Sequence, residues 1–210
     1  MAETISVIPH VPTKGKYEKI GRKIVRDSLV LYSDSLYSKL ELEFKEVSKN
    51  EFQSYKRKYK TECTLDSGNF ISGSGLYVSR KCDEICETYL SERTTNRKML
   101  LPSTYDAGVL GMLLSPNCGN LIVCSSYDGL AFEDYYEDRA EVFVFTVTTG
   151  KGVKGIKPSF KFFTKDWSIE DLTWVSDNSI ALKTYEENRT INNQDNLHYK
   201  YFKADLNKIN

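Results

Sequence analysis

The sequence has little histidine and no long apolar run. Its 210 residues include two histidines, and no motif joins His10 or His198 to a serine or cysteine nucleophile. No stretch comes near the roughly 18 apolar residues that a membrane-spanning helix requires. The first ten residues hold no basic segment followed by an apolar core, so no secretory signal is predicted. We therefore expect neither a hydrolase of the Ser-His type nor a membrane protein, and no catalytic residue is assigned.

Cysteine is also sparse, and its number is odd. Five cysteines are spread along the chain without the density of a disulfide scaffold, a pattern typical of reduced thiols in a reducing compartment. We therefore predict a cytoplasmic protein. A zinc site would have to use the last four cysteines, but Cys124 lies in an apolar run where a buried free thiol is ordinary, and the spacing of the first two is too wide for a zinc knuckle. The sequence thus predicts no metal and no cofactor. The four candidate thiols are Cys82, Cys86, Cys118 and Cys124.

Positive and negative side chains balance, with 29 of each. No global field therefore attracts the chain to nucleic acid or to an anionic membrane. Residues 1–60 carry thirteen basic against eight acidic side chains, and the segment from Tyr55 to Lys60 interleaves basic and aromatic residues, as phosphate contacts with base stacking would require. A face of solvated lysines is the commoner role of such a segment, so nucleic-acid binding is not predicted.

Period-two alternation of apolar and polar residues predicts several β-strands. Leu40, Leu42 and Phe44 alternate with charged residues, which predicts one half-buried strand. From Val142 to Val147 both alternating sets are apolar, which predicts a strand in the middle of its sheet with both faces covered. Further strands are predicted around Phe160 to Phe162, Leu197 to Tyr201, Ser28 to Tyr32, Gly75 to Ser79 and Ile85 to Leu90.

Helical periodicity is scarce. Residues 14–31 fit a helix and a strand equally well, and Glu51 to Lys60 forms either a short surface helix or a basic loop. The sequence therefore predicts an all-β fold of antiparallel sheets in a single domain over residues 1–210. Within it we distinguish a basic N-terminal subregion, residues 1–62, from a repeat region, residues 75–206.

The repeat consists of two similar stretches about 60 residues apart, a form of self-similarity typical of stacked or radially repeated β units. In the first, Leu113-Leu114 is followed by the turn Ser115-Pro116-Asn117 and then by an apolar run from Leu121. In the second, Thr173-Trp174-Val175 is followed by Ser176-Asp177 and by a run from Ile180. Each stretch is followed by another strand. If these are repeated sheets, Phe145 and Trp174 should be buried.

The stretch from Leu113 to Val147, with its Ser-Pro-Asn turn and closing strand, resembles one blade of a TolB-like or WD-repeat β-propeller. The family's usual turn is Ser-Pro-Asp-Gly, where this chain has Asn117-Cys118-Gly119. The resemblance covers roughly residues 110–206 and implies a partial or small β-propeller-like fold. The spacing near 60 residues is longer than the roughly 40 to 45 residues of a compact blade. An irregular β-sandwich with one short helix is therefore the alternative.

An acidic and aromatic loop is the predicted binding site. About a dozen residues separate two strands of the first repeat, more than a hairpin needs, and long loops on rigid scaffolds collect binding residues. Tyrosines supply rigid contact area and carboxylates complement a basic partner. A mobile solvated loop is the alternative reading. The predicted partner-binding residues are Asp128, Phe132, Glu133, Asp134, Tyr135, Tyr136, Glu137 and Asp138.

These features favour a non-catalytic protein-binding module. One version is a cytosolic immunity-type inhibitor that covers a basic protein partner with the acidic, tyrosine-rich loop. The alternative is a ligand-binding or hydrolytic β-propeller-like enzyme with a carboxylate and tyrosine pocket, since carboxylate chemistry needs no histidine. The sequence does not name the partner or the oligomeric state.

Overall fold

The computed structural model describes residues 28–30, 38–39, 42, 44–61, 65–66, 70–71, 76–83, 86–92, 95–103, 111–126, 138–186 and 197–206. These ranges contain fifteen strands, one α-helix and one 3-10 helix. The fold is all-β, as the alternation predicted. The sequence fitted a helix and a strand equally well over residues 14–31. Of these residues the structure describes only Ser28–Val30, which is a strand. None of the described helices is long and apolar enough to cross a membrane.

The strands are Ser28–Val30 (β1), Ser38–Lys39 (β2), Phe44–Glu46 (β3), Leu65–Asp66 (β4), Phe70–Ile71 (β5), Leu76–Cys82 (β6), Cys86–Glu92 (β7), Lys98–Leu100 (β8), Gly111–Leu114 (β9), Asn120–Ser126 (β10), Ala140–Val147 (β11), Ile156–Thr164 (β12), Ser168–Ser176 (β13), Ser179–Tyr185 (β14) and Tyr199–Asp205 (β15). They form three sheets. The N-terminal sheet has the order β1-β8-β7-β6-β5-β4, the middle sheet β2-β12-β11-β10-β9 and the C-terminal sheet β13-β14-β15-β3.

Each sheet is built on strands that follow one another in the chain and pair antiparallel. β9 to β12 form such a meander in the middle sheet, and β13 to β15 form one in the C-terminal sheet. Strands from the N-terminal part of the chain complete all three sheets: β1 pairs with β8 and β2 with β12 in parallel, while β3 pairs antiparallel with β15. The N-terminal segment therefore ties the sheets together.

The middle sheet lies between the other two, and each of its faces belongs to a different hydrophobic core. Val142 and Val144 pack with the C-terminal sheet. Phe143 and Phe145 pack with the N-terminal sheet. The prediction of a central strand with two apolar faces is confirmed, because β11 lies between β10 and β12 and all four side chains are buried. Trp174 is also buried, with 1% exposure, as expected from the repeats.

The predicted single strand around Leu40 to Phe44 is wrong. Two short strands occur instead, and they belong to different sheets: β2 pairs with β12 of the middle sheet, whereas β3 pairs with β15 of the C-terminal sheet. Leu42, between them, is not in a strand and packs half-buried against the core shared by these two sheets. Alternation identified apolar residues correctly here, but a chain that passes from one sheet to the next cannot remain one strand.

The segment predicted as a short helix or a basic loop is the helix Lys49–Lys58 (α1). It begins with a capping box, in which the backbone amide of Glu51 donates to Oγ of Ser48 and the backbone amide of Ser48 donates to the Glu51 carboxylate. These hydrogen bonds lower the pKa of Glu51. Phe52 is fully buried, and its ring contacts Tyr201 of β15 at 5.4 Å between centroids. The helix thus covers the outer face of the C-terminal sheet.

The expectation that all five cysteines are reduced thiols is wrong. Cys82 and Cys86 lie directly opposite each other at the end of the β6–β7 hairpin and form a disulfide. Cys118 is also disulfide-bonded, whereas Cys124 is a free thiol buried in β10. The four cysteines considered as zinc ligands therefore do not form one group. Among the described residues, no three histidine, cysteine or acidic side chains gather in a way that could hold a metal ion.

Candidate functional site

The predicted acidic loop joins β10 to β11 in the middle sheet. Seven of the eight predicted site residues, from Asp128 to Glu137, lie outside the described residues, whereas Asp138 is described and is half-buried. The two ends of the loop lie side by side, because Ser126 is paired with Ala140. The structure therefore places the loop at one end of the most deeply buried strand pair, and it leaves the arrangement of the predicted binding side chains as a prediction.

Hydrogen bonds fix the base of this loop to two neighbouring strands. Oγ of Ser126 donates to the carbonyl of Arg139 at 3.2 Å, which ties the two ends of the loop together. The amide of Arg139 donates to the carbonyl of Thr164 at 2.6 Å, and the amide of Ile169 donates to Oγ of Ser126 at 3.0 Å. Thr164 is the last residue of β12 and Ile169 is the second residue of β13. The two ends of the loop therefore lie where the middle and C-terminal sheets are joined.

Other connections reach the same end of the two sheets. Ala140 is paired with Thr164, so residues 165–167 lie there too, and Ser168 is paired with Tyr185, which is paired with Tyr199. The chain before Gly111 also enters at this end, because Gly111 is paired with Cys124. The four connections, residues 104–110, 127–139, 165–167 and 186–198, contain ten acidic against three basic residues. The segments that begin or end here are therefore acidic in composition.

A second feature, which the sequence did not predict, is a cleft of about 370 Å³ between the middle and C-terminal sheets. It lies beside β9 and β13. Each of these is the first strand of its meander along the chain and an edge strand of its sheet. Helix α1 contributes Lys56, and Tyr59 follows the helix. The lining residues are Lys56, Tyr59, Gly111, Met112, Leu113, Cys124, Ile169, Glu170, Asp171, Leu172 and Thr173.

Hydrogen bonds join the middle and C-terminal sheets on either side of the cleft. At one end, Nε1 of Trp174 donates to the carbonyl of Leu113 at 3.1 Å, and the Tyr59 hydroxyl donates to the carbonyl of Leu114 at 2.5 Å. At the other end is the bond between Ile169 and Ser126 described above. Burial raises the pKa of the Tyr59 hydroxyl, so this group stays protonated and keeps its donor role.

A β-bulge explains why five consecutive residues line the cleft. Ile169 is paired with Thr184 and Asp171 with Lys183, so Glu170 is an extra residue with no partner position on β14. A bulge breaks the alternation of side chains and redirects them. Glu170 and Asp171 therefore both border the cleft, where strict alternation would have turned one of them away. The Nζ atom of Lys56 lies 2.5 Å from Oδ2 of Asp171 at the surface of the cleft.

Sequence reasoning missed the cleft because its parts are far apart in the chain. Lys56 and Asp171 are separated by 115 positions, and no local pattern connects them. One signal was available: the adjacent carboxylates Glu170 and Asp171 interrupt an apolar strand between Ile169 and Leu172. Two charged neighbours inside a buried strand indicate either an edge or a bulge, and this strand has both.

Comparison of the chain with protein-family models, with curated proteins and with solved structures gives no match.

Proposed function

We propose that this protein is a non-catalytic protein-binding module that covers a basic surface of its partner with the acidic, tyrosine-rich loop of residues 128–138. The observation that carries the proposal is the fixed base of that loop. Ser126, Arg139 and Thr164 hold its two ends against strands whose side chains are buried in both cores. A binding loop on a rigid base loses less conformational entropy when it meets a partner than a loop on a mobile one.

Charge at this end of the sheets supports the same proposal. The connections that leave it carry ten carboxylates against three basic residues, although the whole chain is neutral. Such a local excess speeds the capture of a basic partner and selects against acidic ones. The interleaved Phe132, Tyr135 and Tyr136 would supply apolar contact area within the charged surface. An immunity-type inhibitor that blocks a basic active surface is the version of this function that we propose.

We also propose that the sheets are arranged as blades of a small or partial β-propeller. Two observations support this. The first strands of the middle and C-terminal meanders, β9 and β13, run beside each other at the cleft. The C-terminal sheet takes its fourth strand, β3, from the N-terminal part of the chain, which joins the two parts of the sequence in one sheet. Among the described strands the three sheets remain open, and a β-sandwich remains the alternative arrangement.

The test is capture of the partner by two variants with the same change in charge. In the loop variant, Glu133→Gln, Asp134→Asn, Glu137→Gln and Asp138→Asn remove four negative charges from the proposed surface. In the control variant, Glu46→Gln, Asp83→Asn, Glu87→Gln and Asp205→Asn remove four from other surfaces. Tagged proteins are incubated with the native lysate at about 0.15 M salt, where charges beyond about 8 Å are screened.

We expect the wild-type protein and the control variant to retain one stoichiometric basic protein. The loop variant should bind that protein at least about tenfold more weakly, with a flatter dependence on salt, because charge pairs at its interface are lost. Thermal unfolding of both variants should stay close to wild type. Equal capture by the loop variant, or an equal loss in the control variant, would overturn the proposal.

A further inference from the structure

We propose that Cys82 and Cys86 are a redox-active pair, whose disulfide opens and closes reversibly by exchange with a small thiol while the protein stays folded. The bond joins the last residue of β6 to the first residue of β7. This site is independent of protein binding by the acidic loop, because it belongs to a hairpin of the N-terminal sheet. Three observations carry the proposal: the register of the hairpin, the packing that holds it, and its exposure.

The backbone keeps the two cysteines together whether or not they are bonded. They are the last of seven consecutive residue pairs between β6 and β7, a ladder that begins with Leu76 opposite Glu92. The Cα atoms of Cys82 and Cys86 lie 4.1 Å apart, and side chains at directly opposed positions share one face of a sheet. After reduction the two thiols therefore remain neighbours, so the bond re-forms within one molecule rather than between two.

The hairpin is held by interactions other than the disulfide. Leu76 and Leu90 are buried in the core between the N-terminal and middle sheets, and the hydroxyls of Ser79 and Ser91 share a hydrogen bond of 3.0 Å between β6 and β7. The disulfide links residues only four positions apart. Since the entropy that a disulfide removes from the unfolded chain grows with loop length, this short loop contributes little to stability. Reduction should therefore leave both strands in place.

Access distinguishes this pair from the other cysteines that the structure describes. Cys82 is exposed and Cys86 is half-buried. Cys118, which is also disulfide-bonded, is 6% exposed, and the free Cys124 is 1% exposed. Burial raises the pKa of the Cys124 thiol, so little thiolate forms there. Because exchange requires a sulfur that an attacking thiolate can reach, we expect it at the hairpin and not at the two buried cysteines.

The reaction is a two-electron exchange with a small thiol, for which glutathione is the probe. A glutathione thiolate attacks the sulfur of the more exposed Cys82 and forms a mixed disulfide, while Cys86 leaves as a thiolate. A second glutathione thiolate attacks the glutathione sulfur of this mixed disulfide, which releases Cys82 as a thiolate and yields oxidised glutathione. The two cysteine thiolates take up the protons that the two glutathione thiols gave up. In reverse, oxidised glutathione restores the bond.

The experiment measures the reduced fraction of each cysteine in the full chain. The protein is equilibrated in buffers with increasing ratios of reduced to oxidised glutathione. Free thiols are then blocked with N-ethylmaleimide in the folded protein, and the labelled peptides are quantified by mass spectrometry. A second series starts from protein equilibrated at the highest ratio and returns to the lowest, so that closing of the bond is measured as well as opening.

We expect Cys82 and Cys86 to change together from bonded to reduced within the series, with the same midpoint in both directions. Over the same ratios Cys118 should stay bonded and Cys124 should stay unlabelled, because both are buried. The reduced protein should still unfold cooperatively on heating. A hairpin bond that stays closed at every ratio, opens only together with the bond of Cys118, or fails to re-form would overturn the proposal. Loss of cooperative unfolding on reduction would overturn it too.

Two variants assign the response to the hairpin. Cys86→Ser leaves Cys82 without its bonding partner, so Cys82 should accumulate a mixed disulfide with glutathione that no neighbouring thiol displaces. Cys124→Ala removes the buried free thiol and is the control, in which the midpoint of the hairpin pair should be unchanged. Thermal unfolding confirms that each variant is folded. Absence of the mixed disulfide in Cys86→Ser, or a displaced midpoint in Cys124→Ala, would contradict exchange at Cys82.

Discussion

The backbone amide of Asn117 donates a hydrogen bond to Oδ1 of Asp177 at 2.8 Å. These residues occupy matching places in the two repeated turns, which are 60 positions apart in the chain. A second bond runs from Nδ2 of Asn120 to the backbone carbonyl of Asp177 at 3.1 Å. The two repeats are therefore in direct contact through their turns, and this contact fixes the middle and C-terminal sheets side by side.

Asp177→Ala should lower the free energy of unfolding by about 1 to 2 kcal/mol, because the Asn117 amide loses its charged acceptor. Asp177→Asn should cost less, since its amide oxygen can still accept. The bond from Asn120 goes to the backbone and persists in both variants. Urea unfolding measures the change, with Asn178→Ala in the same turn as the control, expected within about 0.5 kcal/mol of wild type. Equal costs for Asp177→Ala and Asn178→Ala would contradict this role.

Trp174→Ala should lower the free energy of unfolding by about 3 to 5 kcal/mol, because a fully buried indole is lost from the core between the middle and C-terminal sheets. Trp174→Phe keeps much of the apolar volume but removes the donor to the Leu113 carbonyl, so its cost should be smaller. Chemical unfolding followed by circular dichroism gives both values. A loss below about 1 kcal/mol for Trp174→Ala would mean that the indole does not hold the sheets together.

Gly150→Ala and Gly152→Ala test a close contact between the N-terminal and middle sheets. Both glycines have positive φ, +78° and +56°, so each alanine should cost about 1 to 2 kcal/mol from backbone strain. At Gly152 a Cβ would also lie 2.1 Å from Oε1 of Glu92, whereas at Gly150 it meets nothing within 4 Å.

We therefore expect Gly152→Ala to be the more destabilising of the two. The destabilisation by Gly152→Ala should be smaller in a Glu92→Ala background, because the Glu92 carboxylate that the new Cβ would meet is absent. Thermal unfolding of the wild type, Gly152→Ala, Glu92→Ala and the double variant gives a double-mutant cycle. A cycle with no coupling between positions 92 and 152 would contradict the contact.

Glu92 should make stability dependent on acid pH. Its carboxylate accepts hydrogen bonds from Oγ1 of Thr95 and from the amide of Val153, and these bonds, with the nearby Arg97 and Lys154, lower its pKa. The unfolded-state pKa of a glutamate is about 4.3. Because the folded-state pKa of Glu92 is the lower one, the stabilisation is complete above the unfolded-state pKa. It is lost as the pH falls through the folded-state pKa.

Glu92→Gln should therefore be less stable than wild type at pH 7, and the difference should narrow as the pH falls below about 4. Unfolding free energies measured in urea between pH 7 and pH 3 provide the comparison. Glu87→Gln, which removes a carboxylate from the same strand, is the control. A difference between Glu92→Gln and wild type that stays constant over this range would contradict the assignment.

Strand β11 of the middle sheet could be read from the sequence because its environment is uniform. Every residue from Val142 to Phe145 is buried, so local alternation and apolar composition agree with the tertiary packing. At Leu42 the alternation and the packing do not agree, because the chain passes there from the middle sheet to the C-terminal sheet. The disulfide was missed for a similar reason: the register of β6 and β7 places Cys82 opposite Cys86, and spacing alone does not reveal register.

The sequence by itself determined the all-β class and the burial of Phe145 and Trp174. Each of these follows from the polarity pattern of a few neighbouring side chains, which is a property of the local sequence. Only the tertiary structure decided which sheets meet, how the repeat turns bond, and that Lys56, Glu170 and Asp171 border one cleft. Those features depend on register, a bulge and contacts across 115 positions, and long-range contacts of this kind leave no periodic signal.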